Sequence, residues 1–383
     1  MSPPLRVAVI GVGFGQQVHV PAFRADPRCE VTTLCASNEA KAAEIAGRLN
    51  VPYASGDWRT VVADPEIDAV SIAVPPRLQP QIALEALEHG KSVFCEKPLG
   101  VHPHDVMPLR WARTFLERRE SAPQETRSLP LGRGIGMVNF ELCECDAWQK
   151  FQQMAKCHPP GLMTSVQINW RVQTYSNKRR IDNWKSRPDE GGGALQGFAA
   201  HTFYLLEQLY GPICRLQAQL TKGVDDPRTG ETTVDLEIEF LLGGRGSVQI
   251  ATDAPPPHRH QIDLISPCGV LRLLNEGSDY IRGFELYCGD DTVSGFDRFG
   301  DPLQRIFPEA ELSSGTGSLT RDAPAAAPDG RIEATSRLVR KFIDAALGGS
   351  PAHPDFSDGY RVQYLIEAAR RSNAEGRWMD TIE

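Results

Sequence analysis

No apolar run in this 383-residue chain approaches the roughly 18 residues needed to span a bilayer, so no membrane partner is expected. A basic stripe with interleaved aromatics is also missing, and the net charge of -8 argues against a nucleic-acid partner. Cysteine gives no metal pattern. The nine cysteines are scattered, and the closest set, Cys143-Glu144-Cys145, would place two thiols on one strand face without a second pair to complete a zinc site. Free thiols and no metal are the expectation. Internal repeats and long like-charge blocks are lacking too. The start, Met1-Ser2-Pro3-Pro4-Leu5-Arg6, has no signal-peptide anatomy, which reads as a cytoplasmic protein. What is present is the composition of a soluble globular chain, 23% charged and 41% hydrophobic. It is long enough that two domains are the default.

Arg6-Val7-Ala8-Val9-Ile10 is a continuous apolar run suited to a central parallel strand. It enters Gly11-Val12-Gly13-Phe14-Gly15 at once. Glycines there allow a tight turn and let a pyrophosphate lie against the following helix. The usual third glycine would fall at Gln16; Gly15 comes one residue early, and Pro21 predicts a helix that starts late or kinks. After a second strand, residues 31–35, an acid would read a ribose 2′-hydroxyl. That position holds Ala36, followed by Ser37, Asn38 and, further on, Lys41, which can donate to or neutralise a 2′-phosphate. NADP is therefore favoured, with NAD as the alternative, while Ser37 and Asn38 would serve equally as helix caps. Residues 41–49 and 80–89 read as helices, 68–74 as a buried strand and 105–119 as another helix. Strands alternating with helices give a doubly wound parallel sheet.

Val93-Phe94-Cys95-Glu96-Lys97-Pro98-Leu99 is a buried strand that ends in a carboxylate, an ammonium and a proline. The carboxyl end of a parallel strand is where ligands bind in such sheets. Beyond it, residues 121–136 read as an exposed loop. Strands follow at 138–142 and 165–172, with a helix at 146–157 between them. Residues 175–190 form a long charged loop with aromatics, ending in Gly191-Gly192-Gly193, where backbone can lie close to a ligand. A helix over 194–210 carries His201. The later stretch alternates as strands with short turns, hence antiparallel pairing, with one apolar face at Val248 and Ile250 available for another layer or another subunit. Residues 312–330 read as a loop, and two helices close the chain.

Gly11 and Gly13 with His19, Ala73-Val74-Pro75-Pro76, and Glu88-His89-Gly90-Lys91-Ser92 running into the 93–99 stretch together resemble the glucose–fructose oxidoreductase / inositol 2-dehydrogenase / MocA family. The resemblance extends over nearly the whole chain. It implies an N-terminal Rossmann domain, residues 1–122, and a C-terminal α/β domain with a large, mostly antiparallel open sheet, residues 134–383, whose last helices over 331–383 pack back. It implies a catalytic pair, Lys97 and His201, acting on a polyhydroxylated small molecule, and a homodimer or homotetramer formed through the C-terminal sheet. The resulting cofactor set is Gly11, Gly13, Phe14, Gly15, Ser37, Asn38, Lys41, Val74, Pro75, Glu96, Lys97 and Asn139. The substrate set is Lys97, Arg171, Tyr175, Trp184, Lys185 and His201. The chain departs from the family where Gly197 and Tyr204 replace usual acids and Gln79 replaces a frequent histidine. Hydride transfer to or from a sugar, sugar derivative or cyclitol is the resulting expectation. The alternatives are a cofactor-binding regulatory protein without dehydrogenase activity, or a lyase or glycosidase with transient hydride transfer.

Overall fold

A computed structural model describes residues 3–110, 134–158, 160–161, 164–277, 279, 281–290, 304–307, 328–349 and 351–382. The loop expected over 121–136 lies outside the described residues up to 133, as do the end of the helix expected over 105–119 and most of the 312–330 loop. Packing divides the chain into two units, Met1–Glu141 with Arg331–Gln363, and Leu142–Gly330 with Tyr364–Glu383. This division differs from the expected 1–122 and 134–383. Residues up to 141, and 331–363 from the far end of the sequence, group with the first unit.

The strands of the first unit are β1 (Leu5–Ile10), β2 (Cys29–Cys35), β3 (Tyr53–Ser55), β4 (Ala69–Ile72), β5 (Ser92–Glu96) and β6 (Gly136–Asn139), all but the short, partly exposed β3 falling on apolar runs. They pair parallel in the order β3-β2-β1-β4-β5-β6, the order that creates a switch point beside β1. Strand β4 is buried throughout, as a sheet covered on both faces requires. The helices are α1 (Val20–Arg24), α2 (Glu39–Leu49), α3 (Trp58–Ala63) and α4 (Gln79–Glu88). In the second unit come α5 (Asp146–Ala155) and α6 (Ala200–Tyr210), and the chain closes with α7 (Arg331–Ala346) and α8 (Phe356–Glu375). Helix α7 buries Ala334, Thr335, Leu338, Val339, Phe342 and Ile343, an apolar stripe at helical spacing. Its Phe342 meets Phe23 and Phe94 edge-on at ring distances of 6.0 and 5.6 Å. That aromatic cluster is the physical reason α7 belongs with the Rossmann sheet.

In the second unit β7 (Ser165–Arg171), β8 (Ile213–Thr221), β9 (Thr233–Phe240), β10 (Arg245–Ala251), β11 (Arg259–Ser266), β12 (Gly269–Asn275), β13 (Glu285–Asp290), β14 (Gln304–Phe307) and β15 (Met379–Asp380) make a nine-stranded sheet. Every pair is antiparallel except β7 with β10. Val166, Ile168, Leu236, Ile238, Val248, Ile250, Ile262 and Leu264 alternate onto one buried face, and helices of the same chain supply its covering layer: α6 packs on β8 and α5 on β12 and β13. The other face is polar. Gln167, Asn169, Gln217, Gln219, Asp235, Glu237 and Gln249 line a trough of about 550 Å³. Asn169 donates to Gln249 (3.1 Å), which donates to Asp235 (3.0 Å). The 138–142 stretch also differs from its reading as a strand: β6 stops at Asn139, and Glu141–Glu144 turn as a 3-10 helix. Cys143 and Cys145 therefore do not share a strand face.

Candidate active site

The glycines after β1 have separable jobs. Gly11 takes φ +107°, and a β-carbon there would meet the Ala73 carbonyl oxygen at 2.3 Å. A β-carbon on Gly15 would meet Val9 Cγ1 at 2.9 Å. Both are glycine because the fold closes on them. Gly13 is exposed, and a β-carbon there meets nothing within 4 Å. The protein does not fill that space, and a pyrophosphate lying against the backbone would use it. The following helix opens as a π-helical turn, Gly15–His19, and runs on into α1, whose second residue is Pro21. The Phe14 ring lies 4.7 Å beneath the Arg331 guanidinium.

At the end of β2, Ala36 is buried, while Ser37, Asn38 and Lys41 are exposed. Asn38 caps α2 by accepting from the Lys41 backbone N–H at 3.0 Å, and its side-chain amide N–H₂ is left to donate. After β4 the turn holding Val74 and Pro75 is fixed by Gln79. That side chain is buried, donates to the Val74 carbonyl (3.1 Å) and accepts from the Gly100 N–H (3.3 Å). Gln363 in turn donates to the Gly100 carbonyl at 2.7 Å. Glutamine thus ties the β4 turn to the segment just past Lys97, a task with both donor and acceptor that an amide performs directly.

Strands β5 and β6 end together, with Glu96 opposite Asn139 in register. Glu96 Oε1 accepts from Asn139 Nδ2 at 2.6 Å and lies 2.8 Å from His19 Nε2. An ionised carboxylate only accepts, so Nε2 carries the proton; Nδ1 lies 2.7 Å from the Ser71 hydroxyl. His19 is fully buried and both its ring nitrogens are engaged. It fixes Glu96 rather than meeting a ligand. Asn139 Oδ1 is buried with no partner among the described residues, an acceptor that suits the N–H₂ of a nicotinamide carboxamide. The residues present therefore fit a nicotinamide dinucleotide, with the glycine turn for its pyrophosphate and the β5 and β6 ends for its nicotinamide.

Lys97 follows Glu96 and is half-buried. Burial pulls its ammonium below the usual range and Arg331 adds to this, while Glu141 and Glu96 oppose it. Glu141, buried just past β6, is pushed up to about 7, first by burial and then by Glu96, against the pull of Lys97 and Arg331. An amine moved down and a carboxyl moved up are drawn toward each other in proton affinity, each by its burial and by the charges around it. Glu141, Arg331 and Ser71 are not among the residues expected from the sequence, and His19 stands there only as part of a motif. Glu141 had one usable signal: a carboxylate two residues past a strand end beside Asn139.

In the second unit, α6 also begins after a π-helical turn, Leu195–Ala199, and places His201 in its first turn, buried. The glycine run before it does not leave space for a ligand at every position. A β-carbon on Gly192 would meet the Trp184 carbonyl oxygen at 2.3 Å, and one on Gly193 would meet Glu231 Oε1 at 2.2 Å. Glu231 accepts from the Leu195 N–H at 2.8 Å, so these glycines bind the 184–187 turn and Glu231 to the start of the helix. Gly197, one turn before His201, is different: nothing lies within 4 Å of a β-carbon placed there. Arg171 ends β7, exposed, and Tyr175 follows on a short helical turn, Tyr175–Lys178, beside Arg179 (6.0 Å). Trp184 opens the turn Trp184–Ser186 with the Lys185 ammonium 5.6 Å from its ring.

One trio of possible metal donors occurs among the described residues, His353, Asp355 and Asp358. Its carboxylates accept from the backbone N–H groups of Asp355, Ser357 and Asp358, which caps α8. No helix among the described residues is long and apolar enough to cross a membrane.

Residues 5–110 match the family model described as an oxidoreductase family with an NAD-binding Rossmann fold, and residues 149–271 match the GFO/IDH/MocA C-terminal domain. A human glucose-fructose oxidoreductase domain-containing protein 2 is 34% identical over 97% of this chain and 92% of its own length. Levoglucosan dehydrogenase from Pseudarthrobacter phenanthrenivorans is 24% identical over 98% of both chains. A solved levoglucosan dehydrogenase in complex with NADH shares the fold over 99% of this chain and all of its own, with a TM-score of 0.79. So does the WlbA dehydrogenase of Bordetella pertussis in complex with NADH and UDP-GlcNAcA, at 17% identity, over all of this chain and 99% of its own, with a TM-score of 0.76. With the switch-point glycines, the Glu96-Lys97-Pro98 strand end and both domain models in agreement, this chain belongs to the GFO/IDH/MocA family of oxidoreductases.

Proposed function

We propose that the protein moves a hydride between a nicotinamide cofactor and the carbinol carbon of a sugar, sugar derivative or cyclitol, working in the cytoplasm as a homodimer or homotetramer joined through its nine-stranded sheet. The observation that carries this reading is the charged cluster at the ends of β5 and β6, where Lys97 is poised against Glu141 and Glu96 is held by His19 and Asn139. When bound, the nicotinamide supplies the carbon that accepts or returns the hydride. Lys97 hydrogen-bonds the substrate oxygen and stabilises the charge that grows on it as the carbinol becomes a carbonyl. His201 takes the hydroxyl proton in that direction and gives it back in the other. Glu96 positions its neighbours and does not react. NADP is the cofactor we favour over NAD, because buried Ala36 offers no carboxylate to repel a 2′-phosphate and Ser37, Asn38 and Lys41 stand exposed beside it.

The test is reduced-nicotinamide absorbance across a panel of sugars, sugar derivatives and cyclitols with each cofactor, alongside direct titration of NADH and NADPH. Turnover of at least one polyol, with tighter NADPH than NADH binding, is expected. Saturable cofactor binding with silence across the panel would instead favour a regulatory role, and cofactor retained through purification with no net change in its redox state would favour a lyase or glycosidase. Tighter NADH binding would overturn the NADP assignment alone.

A further inference from the structure

In a chain of net charge -8, the segment from 171 to 187 holds six cations, Arg171, Lys178, Arg179, Arg180, Lys185 and Arg187, and one carboxylate, Asp182. That carboxylate is taken: Arg187 donates to both its oxygens at 3.1 and 2.9 Å. Asp226, which packs against the same turn, is held in a buried pair by Arg228. Asp253, bridged to Gln173 through the backbone, has no cation within ion-pair distance among the described residues. Arg171, Lys178, Arg179 and Arg180 are all exposed, and among the described residues none of the four is in an ion pair. Elsewhere on this unit Arg215, Arg245, Arg259, Arg272 and Arg282 each face a carboxylate. Among the described residues of this unit, the arginines without an ion pair are therefore concentrated in one place, with Asp226, already paired to Arg228, as the nearby carboxylate that feels Arg180.

The backbone adds an independent observation. Arg180 has φ +48°, in the left-handed region. It ends the short helical turn with Arg180 N–H to Asn177 carbonyl (3.0 Å) and Ile181 N–H to Ser176 carbonyl (2.9 Å) bonds, a termination that favours glycine. An arginine here is a side chain the fold would be easier without. The turn beneath it is anchored: Asn177 donates to the Thr252 carbonyl and hydroxyl, both at 2.9 Å, and Arg228 donates to Asn177 Oδ1 at 3.0 Å and to the Ser176 carbonyl at 3.2 Å. Cations on a fixed base are preorganised for a ligand. Two aromatic faces stand among them, exposed Tyr175 beside Arg179 and Trp184 beside Lys185.

We propose that this loop receives an anionic group carried by the substrate, a phosphate ester or a carboxylate on the sugar, with Arg179 and Arg180 as its principal contacts and Tyr175 and Trp184 as the apolar surfaces for the sugar ring. The inference deepens the functional reading above and rests on it for the word substrate. Guanidinium forks match both anions, so the sugar probes must separate them.

Calorimetric titration of the full-length protein with glucose, glucose 6-phosphate, UDP-glucose and glucuronate makes the test. At least one anionic sugar should bind roughly tenfold or more tightly than glucose. A preference for glucose 6-phosphate or UDP-glucose assigns phosphate; a preference for glucuronate assigns carboxylate. Arg179→Ala with Arg180→Gly should erase most of that advantage while leaving glucose within about twofold. Arg180→Gly alone should weaken the anion yet raise the melting temperature by about 1–3 °C, because it relieves the left-handed backbone. Those opposite signs separate a ligand contact from a structural one. Equal binding of anionic and neutral sugars, or variants that leave the ratio unchanged, would overturn the inference while a dehydrogenase active on neutral sugars survived. Anion binding lost in the variants, with no cofactor turnover on any sugar, would leave this inference standing and remove the dehydrogenase.

Discussion

Both units bury ionisable side chains, and the β5–β6 cluster of the first and His260 of the second keep opposite company. In the first, His19, Glu96, Lys97 and Glu141 share the ends of β5 and β6 with Ser71, Asn139 and Arg331, so each charge acts on another. In the second, His260 stacks on Trp170 at 4.0 Å and meets Trp148 and Phe284 edge-on at 5.5 and 5.4 Å. Its Nδ1 has no hydrogen-bond partner among the described residues, and burial alone pushes its pKa down to about 3. Burial of a titratable group does not by itself mark a site. A buried group whose proton affinity also depends on neighbouring charges, as at Lys97 and Glu141, can respond to a ligand or to a developing charge; one set by burial in an aromatic box alone can only resist protonation.

The largest break in this comparison is Lys97→Ala. If the first cluster is chemical, turnover should fall about a thousandfold, the scale of a lost transition-state electrostatic contact. Cofactor dissociation constants, read by fluorescence titration, should move less than about threefold. Comparable loss of both would make Lys97 a binding residue and the cluster a structural one.

His260→Phe breaks the other side. The unfolded chain protonates this ring below about 6.5 and the folded one resists to about 3, so native stability is lost as pH falls through that window, at about 1.4 kcal/mol per pH unit. Phenylalanine keeps the stack and removes the titration. Chemical unfolding of both proteins at pH 7 and pH 4 should show the variant's acid penalty smaller by about 3 kcal/mol. An unchanged penalty would mean that His260 is not what makes the second unit acid-labile.

The smaller effect of Glu141→Gln sharpens the contrast, because its sign is reversed. Glu141 has a raised folded pKa, so its contribution to stability is present in acid and is lost as pH rises through about 7. Its removal should flatten that slope, lower turnover about tenfold and erase a pH-rate step near neutrality. If the step persists in the variant, another group owns it.

How far the sequence carried these readings differs between the two units for a physical reason. Strands β1, β2, β4 and β5 were legible because each is a buried apolar run, while β3, with Tyr53 exposed, left no such trace; Gly11, Gly13 and Lys97 stood out as candidates because they sit at strand ends where the pattern stops. Glu141, Arg331 and the His19–Glu96 contact were not, since their partners are brought in by strand pairing and by a helix that returns from the far end of the chain. Gln79 looked like a departure until its two backbone bonds to Val74 and Gly100 were visible. The glycines at 191–193 looked like room for a ligand, but the space at Gly192 and Gly193 is taken by the Trp184 carbonyl and Glu231. Periodicity reported that the second sheet had a buried face; it could not report that β7 and β10 pair parallel, because register between distant strands leaves no local trace.

The smallest effect is the most specific. Gly197 lies one turn before His201, outside the left-handed region, with open space where a side chain would project. Aspartate there should fold with stability unchanged or higher by a few tenths of a kcal/mol, since glycine is the poorer helix residue. Its carboxylate would give His201 an ionised neighbour like those in the first unit, and an adjacent anion favours the charged imidazole. The acidic limb of kcat/KM should therefore move to higher pH by about half a unit to one unit in Gly197→Asp. Gly197→Asn, of equal size and no charge, should leave it in place. A shift of the same size in both variants would assign the effect to bulk, and a shift in neither would place the proton-transfer group somewhere other than His201.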